Sequence, residues 1–188
     1  LFWVSDGGKT LTIRPLGDAD PNGAVIEVTT QRCVFAPETM GLGYIHVKGF
    51  TVEHAGNAFP MPQYGAISTW RGNHWLIEDN TVRQANSVGI DFGNQIWALP
   101  QPPVIGHHIV RRNTVTDCGV CGLAGLHSVK CLVEDNVLRR NAFLNVENYY
   151  ETGAIKMHLN EHTLIRHNLI VDTLHGPGIW MDFANVNS

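Results

Sequence analysis

Near the end of the chain, two stretches place chemically able side chains at alternate positions. Glu151 precedes Gly-Ala-Ile-Lys-Met-His (Gly153 to His158), and Gly-Ile-Trp-Met-Asp-Phe (Gly178 to Phe183) follows. In an extended strand, successive side chains point to opposite faces. With Ile155 and Ile179 turned inward, Lys156 and His158 share one outer face, and Trp180 and Asp182 share the equivalent face of the next stretch. A carboxylate beside an ammonium and an imidazole is held ionised, ready to act as a nucleophile or base. An indole offers a flat apolar surface with one polar edge. Asp182 lies between Met181 and Phe183, where a carboxylate has an unfavourable desolvation balance unless the site uses it. The same parity puts Asp91, from Gly89-Ile90-Asp91, in the Lys156 column two repeats earlier. Asp91, Glu151, Lys156, His158, Trp180 and Asp182 are therefore the candidate site. A solvated strand also carries such residues by chance, so their worth depends on what positions them.

An internal repeat positions them. Five segments align: VKGFTV (Val47 to Val52), IEDNTV (Ile77 to Val82), VRRNTV (Val110 to Val115), VEDNVL (Val133 to Leu138) and IRHNLI (Ile165 to Ile170). Four of them carry an Asn at the same place: Asn80, Asn113, Asn136 and Asn168, with Phe50 in the first. Gly-Ala-Ile at Gly65, Gly-Leu at Gly122 and Gly-Ala-Ile at Gly153 each put an aliphatic residue ten positions before the one that opens the next segment. Each segment alternates apolar with polar, as a strand with one buried face does, and each is too short to bury that face alone. Stacking equivalent strands from successive coils makes one continuous core. The expected fold is all-β, a parallel β-helix solenoid, right-handed by the crossover rule. The turn Asn is expected to take up left-handed backbone and to bond to its equivalents above and below. Ile77, Val110, Val133 and Ile165 are expected in the core.

Residues 44–188 carry these repeats, with loop insertions near 94–103 and 142–150. Residues 1–43 are less regular; Thr10 to Pro15 and Ala24 to Thr30 alternate and are read as degenerate first coils of the same β-helix. The chain opens at Leu1 and stops just after the Asp182 motif, which reads as a piece of a longer protein.

Composition narrows the function. The 188 residues carry a net charge of −4, with 16% charged and 44% hydrophobic residues, so this is a chain able to form a core rather than a disordered one. There is no basic stripe for nucleic acid and no apolar run of membrane-spanning length. No GxSxG elbow, phosphate loop or HExxH occurs. Cys118 and Cys121 form a lone CxxC without the second pair that a zinc site needs, so Cys33, Cys118, Cys121 and Cys131 read as small core thiols, and neither a metal nor a cofactor is expected. His74, His107, His108 and His162 sit at coil starts and read as solvent-facing. Oligomeric state and cellular location are not legible.

The runs ETGAIKMH (Glu151 to His158) and GPGIWMDF (Gly176 to Phe183) resemble glycoside hydrolase family 120, β-xylosidases built on a β-helix. Ile45 to Asn57, His74 to Ile90 and His107 to Val115 fit the same family, so the resemblance covers roughly Gly43 to Phe183. It implies that Asp182 is the nucleophile of a retaining mechanism and that Glu151 contributes to sugar binding. The family's Lys and His match Lys156 and His158. Its acid/base Glu would fall one coil past Ser188, and Phe183 stands where the family carries Trp. The implied substrate is a plant-type or microbial oligosaccharide or polysaccharide. Two other readings remain open on the residues alone: a polysaccharide lyase, with Lys156 neutralising a uronate, and a non-catalytic carbohydrate-binding or structural β-helix.

Overall fold

The computed structural model describes residues 1–58, 64–93, 104–146 and 152–188. Three five-stranded parallel sheets form the body. The first holds His46–Lys48, Leu76–Glu78, Ile109–Arg111, Leu132–Glu134 and Leu164–Arg166; the second holds Thr51–Glu53, Thr81–Arg83, Thr114–Thr116, Val137–Arg139 and Leu169–Val171. The third holds Gly65–Ser68, Val88–Asp91, Cys121–Leu126, Gly153–His158 and Ile179–Met181. Each pass of the chain adds one strand to every sheet, and the protein is an all-β parallel β-helix.

Each six-residue repeat segment is two three-residue strands joined at a corner, not one strand. The corner forces one residue into left-handed backbone: Gly49 (φ 76°), Asp79 (56°), Arg112 (51°), Asp135 (54°) and His167 (53°). That residue precedes the Asn, so the expectation that Asn itself supplies the left-handed turn is corrected. The Asn turns inward instead, where its amide completes backbone bonds that the corner interrupts. Asn80 Nδ2 donates to Val47 O (3.0 Å), and Asn80 Oδ1 accepts from the N–H of Phe50 (3.0 Å). Asn113 Oδ1 accepts from both Asn80 N (3.1 Å) and Asn80 Nδ2 (3.0 Å), and Asn136 and Asn168 repeat the pattern one rung at a time. The four side chains form the expected single column.

The aliphatic ladders fill the interior. Val47, Ile77, Val110 and Val133 are fully buried, as are Ile67, Ile90, Leu123 and Ile155. Each such side chain contributes about 1.5–3 kcal/mol relative to an exposed one. Ile165 is only half-buried, because Leu164–Arg166 is the edge strand of the first sheet and has a neighbour on one side alone.

The N-terminal segment departs from the coil reading. Thr10–Ile13 pairs antiparallel with Phe2–Ser5, with Phe2 opposite Ile13, and does not stack on the body's sheets. Three consecutive residues with positive φ, Asp6, Gly7 and Gly8, reverse the chain here, so the alternating pattern is spent on a hairpin. Ala24 to Thr30 forms no strand and is exposed. The chain joins the body where Phe35 bridges Ile67 and Gly43 bridges Asn73.

Candidate active site

The third sheet carries the candidate residues in the register that parity requires. Ile67, Ile90, Leu123, Ile155 and Ile179 align, and so do Ser68, Asp91, Ala124, Lys156 and Trp180. Lys156 therefore lies beside Trp180, with its Nζ 3.1 Å from the ring centroid. Asp182 follows the strand end; its N–H donates to Met157 O (2.8 Å), which carries its side chain alongside the previous rung. There its carboxylate Oδ2 accepts from Lys156 Nζ at 2.8 Å, with His158 Nδ1 at 3.7 Å. The His158 ring meets Phe183 edge-on, with centroids 5.4 Å apart.

The burial of this group is uneven. The side chains of Lys156 and His158 are 2% and 4% exposed, whereas that of Asp182 is 35% exposed. Burial alone would raise the Asp182 carboxyl, but the hydrogen bond and charge of Lys156, joined by His158 and the Phe183 N–H, outweigh it and hold the group below the usual carboxylate range. The result is an ionised, solvent-accessible carboxylate backed by an ammonium and an imidazole that are enclosed. Such an arrangement can donate electrons to an electrophilic carbon or stabilise a developing positive charge.

Asp91 is not part of this group. It is fully buried, two rungs and so about 10 Å from Lys156. Its Oδ2 accepts from the Gly65 N–H at 2.7 Å, on the rung facing away from Asp182. Burial pushes its carboxyl up to about 7, against the pull of the Gly65 amide and the polar groups of Ser68, Thr69 and Gly93. It is closed to solvent and held by the Gly65 N–H and the Ser68 side chain, apart from the Lys156–Asp182 pair. Glu151 lies outside the described residues, as do the 94–103 insertion and residues 147–150 of the second.

Two further basic residues escaped the sequence reading. Arg71 is fully buried, and His127 is pulled below the usual imidazole range by burial, then by the charges of Arg71 and His158. The strand reading stopped at Trp70, and strict alternation would have turned Arg71 into the core. The backbone leaves that alternation at Trp70 and Arg71, both with positive φ. His108 is also buried rather than solvent-facing. Burial lowers its imidazole to about 3, and its Nδ1 accepts the Trp75 N–H at 3.2 Å. Cys118, Cys121 and Cys131 are buried, and burial raises the thiols of Cys118 and Cys131 to about 12 and about 11.

No protein-family model and no curated protein matches the chain. A solved structure of XylC in complex with xylose is similar, at 26% identity and a TM-score of 0.73 over 90% of this chain. The chain spans 31% of the length of that protein. The likeness covers the parallel sheets and extends to a protein seen with a monosaccharide bound.

Proposed function

We propose that the chain is part of a right-handed parallel β-helix glycoside hydrolase of the β-xylosidase type, acting with retention and using Asp182 as nucleophile. The observation that carries this reading is the 2.8 Å contact between the enclosed Lys156 ammonium and the accessible Asp182 carboxylate. The family 120 resemblance of the same two stretches and the likeness to xylose-bound XylC support the choice of sugar.

Asp182 attacks the anomeric carbon and forms a glycosyl ester as the bond to the leaving oxygen breaks. A carboxylic acid protonates that oxygen, then deprotonates the water that hydrolyses the ester. The resemblance puts this acid/base Glu one coil beyond Ser188. Neighbouring rungs lie about 4.8 Å apart, close to the roughly 5–5.5 Å between the carboxyl groups of retaining enzymes. Stacked coils thus supply the spacing without special loops. Lys156 keeps Asp182 ionised between turnovers, His158 supports Asp182 from the enclosed side, Glu151 binds sugar hydroxyls, and the Trp180 ring packs against the Lys156 ammonium. The chemistry calls for neither a metal nor an organic cofactor, and the partner is an oligosaccharide or polysaccharide.

The test uses the chain together with the following coil. Asp182→Ala is assayed on an aryl β-xyloside with and without azide, which fits the vacated space and attacks in place of the carboxylate. Partial recovery of rate with a glycosyl azide product is expected. Absence of both, in a variant that folds, would reject Asp182 as the nucleophile.

A further inference from the structure

At the other end of the third sheet, residues 32–38 dock on its edge strand. The N–H groups of Val34 and Phe35 donate to Ala66 O at 2.8 and 3.0 Å, and the Ser68 N–H donates to Phe35 O at 2.9 Å. Beyond that edge, Trp70 is held in left-handed backbone (φ 47°), and its N–H donates to Ser68 Oγ at 3.2 Å. Its ring packs against Tyr64 with centroids 5.0 Å apart and planes tilted by 40°. Between the docked segment and this aromatic pair lies a cleft of about 230 Å³, lined by Arg32, Cys33, Pro37, Glu38, Tyr64 and Trp70.

We propose that this cleft is a second carbohydrate-binding site, which seats one neutral pyranose unit of a longer glycan and takes no part in bond cleavage. Its size sets the ligand class. Sites for drug-sized molecules run to roughly 300–1,000 Å³, so this cleft suits a single ring. Its lining sets the chemistry: two aromatic rings and Pro37 offer apolar faces to the C–H side of a sugar. Arg32 and Glu38, both exposed at the mouth, bring donors and an acceptor to its hydroxyls. Their opposite charges cancel, which favours a neutral sugar over a uronate or a phosphorylated one. The Cys33 thiol is pushed up to about 12, first by burial and then by the charge of Asp91, and is no nucleophile there.

The site's place gives it a use. Trp70 is three residues past Ile67, as Asp182 is three past Ile179, and Ile67 and Ile179 share one ladder. Four rungs separate them, about 19 Å along the stack. A polysaccharide held at Trp70 is thereby kept near Asp182 without touching it. The choice of a xylan-type glycan rests on the function proposed above; the binding does not need catalysis.

Affinity electrophoresis through gels containing soluble xylan tests this, with aryl β-xyloside turnover measured in parallel on the chain with the following coil. Wild type and Asp182→Asn are expected to be retarded equally. Trp70→Ala is expected to bind about three- to tenfold more weakly, the worth of one aromatic contact, with unchanged aryl-xyloside turnover. Trp70→Phe should recover most of the retardation, and the exposed pair Arg32→Ala with Glu38→Ala should lower it without touching the fold. An unretarded wild type, full retardation of Trp70→Ala, or loss of retardation in Asp182→Asn alone would overturn the proposal. An inactive protein that still binds xylan through Trp70 would reject the hydrolase reading and leave this one standing.

Discussion

The outer faces of the first and third sheets handle charge in opposite ways. On the first sheet, neighbouring rungs carry opposite signs and pair near water. Glu78 accepts from Arg111 Nε at 2.8 Å and Arg112 Nη2 at 2.6 Å, with Lys48 Nζ at 3.2 Å, and Glu134 meets Arg166 at 2.7 Å. The cations stay a third to a half exposed, while the Glu78 and Glu134 side chains are only 5% and 10% exposed, so on this sheet the carboxylate is enclosed and its partners lie at the surface. On the third sheet, Arg71, Asp91, Lys156 and His158 are withdrawn from water. There the Lys156 ammonium has the Asp182 carboxylate as its partner, because burying a charge without compensation costs several kcal/mol, and Asp91 is held by hydrogen bonds with its carboxyl raised to about 7. A parallel stack can thus leave the cationic end of each pair in water, or enclose the cation and leave the carboxylate at the rim, as Lys156 and Asp182 do.

The sharpest break in this contrast is Asp182→Asn. With the following coil present, its turnover of an aryl β-xyloside, measured well below the unfolding midpoint, should fall by about three orders of magnitude or more, and that midpoint should drop as well, because the buried Lys156 ammonium loses its carboxylate partner. Near wild-type turnover would sink the assignment. Next in size is a change that treats both faces alike. Asn113→Ala removes the bonds to Ile77 O, Asn80 and Asn136 from the buried corner. Leaving those groups unpaired should cost about 3 kcal/mol, or roughly 6–12 °C in the unfolding midpoint of a chain this size. A midpoint shift of about two degrees or less would mean that water replaces the amide.

The ladders were legible because they rest on periodicity alone. Ile67 to Ile179 and Asn80 to Asn168 lie where alternation and spacing put them, and the Lys156–Trp180 neighbourhood followed from the same parity. What stayed hidden lies where the backbone leaves the strand. The corner residues Asp79, Arg112 and Asp135 take positive φ, although nothing in their side chains demands it; the demand comes from closing a three-sided coil. Arg71 is buried where the backbone leaves the strand in the same kind of turn. Asp91 was placed in the right column, but register says nothing of depth, and parity cannot tell an outward face from an uncovered one. The hairpin at Phe2 to Ile13 looked like a coil because alternation is common to parallel and antiparallel strands.

Asp91 tests that difference of depth. Its folded value of about 7 lies above the roughly 3.9 of an unfolded aspartate. The fold therefore favours the neutral acid. This contribution is fully present below about pH 4 and is lost as the pH rises towards 7, where the buried group must ionise. Asp91→Asn keeps an acceptor for the Gly65 N–H and removes the titration. Relative to wild type, it should gain up to a few kcal/mol at pH 8 and little or nothing at pH 4, measured by urea unfolding at both. Parallel pH dependence in the two proteins would show that Asp91 has an ionised partner when folded.

Glu78 supplies the converse and the smallest effect. The hydrogen bond from Arg111 opposes the pull of burial and, with Lys48 and Arg112, brings its carboxyl down to about 2, below the roughly 4.3 of an unfolded glutamate. Its contribution is present above about pH 4.3 and is lost as the pH falls towards 2, the reverse of Asp91. Because its partners are exposed, the pairs are screened and spread over three cations, so Glu78→Gln should lower the unfolding midpoint only slightly at neutral pH and low salt. In roughly 1 M salt, where charges see each other over only about 3 Å, the two proteins should unfold together. A large loss that persists in high salt would mean that Glu78 works through buried hydrogen bonds, and the first sheet would then resemble the third in how it holds charge.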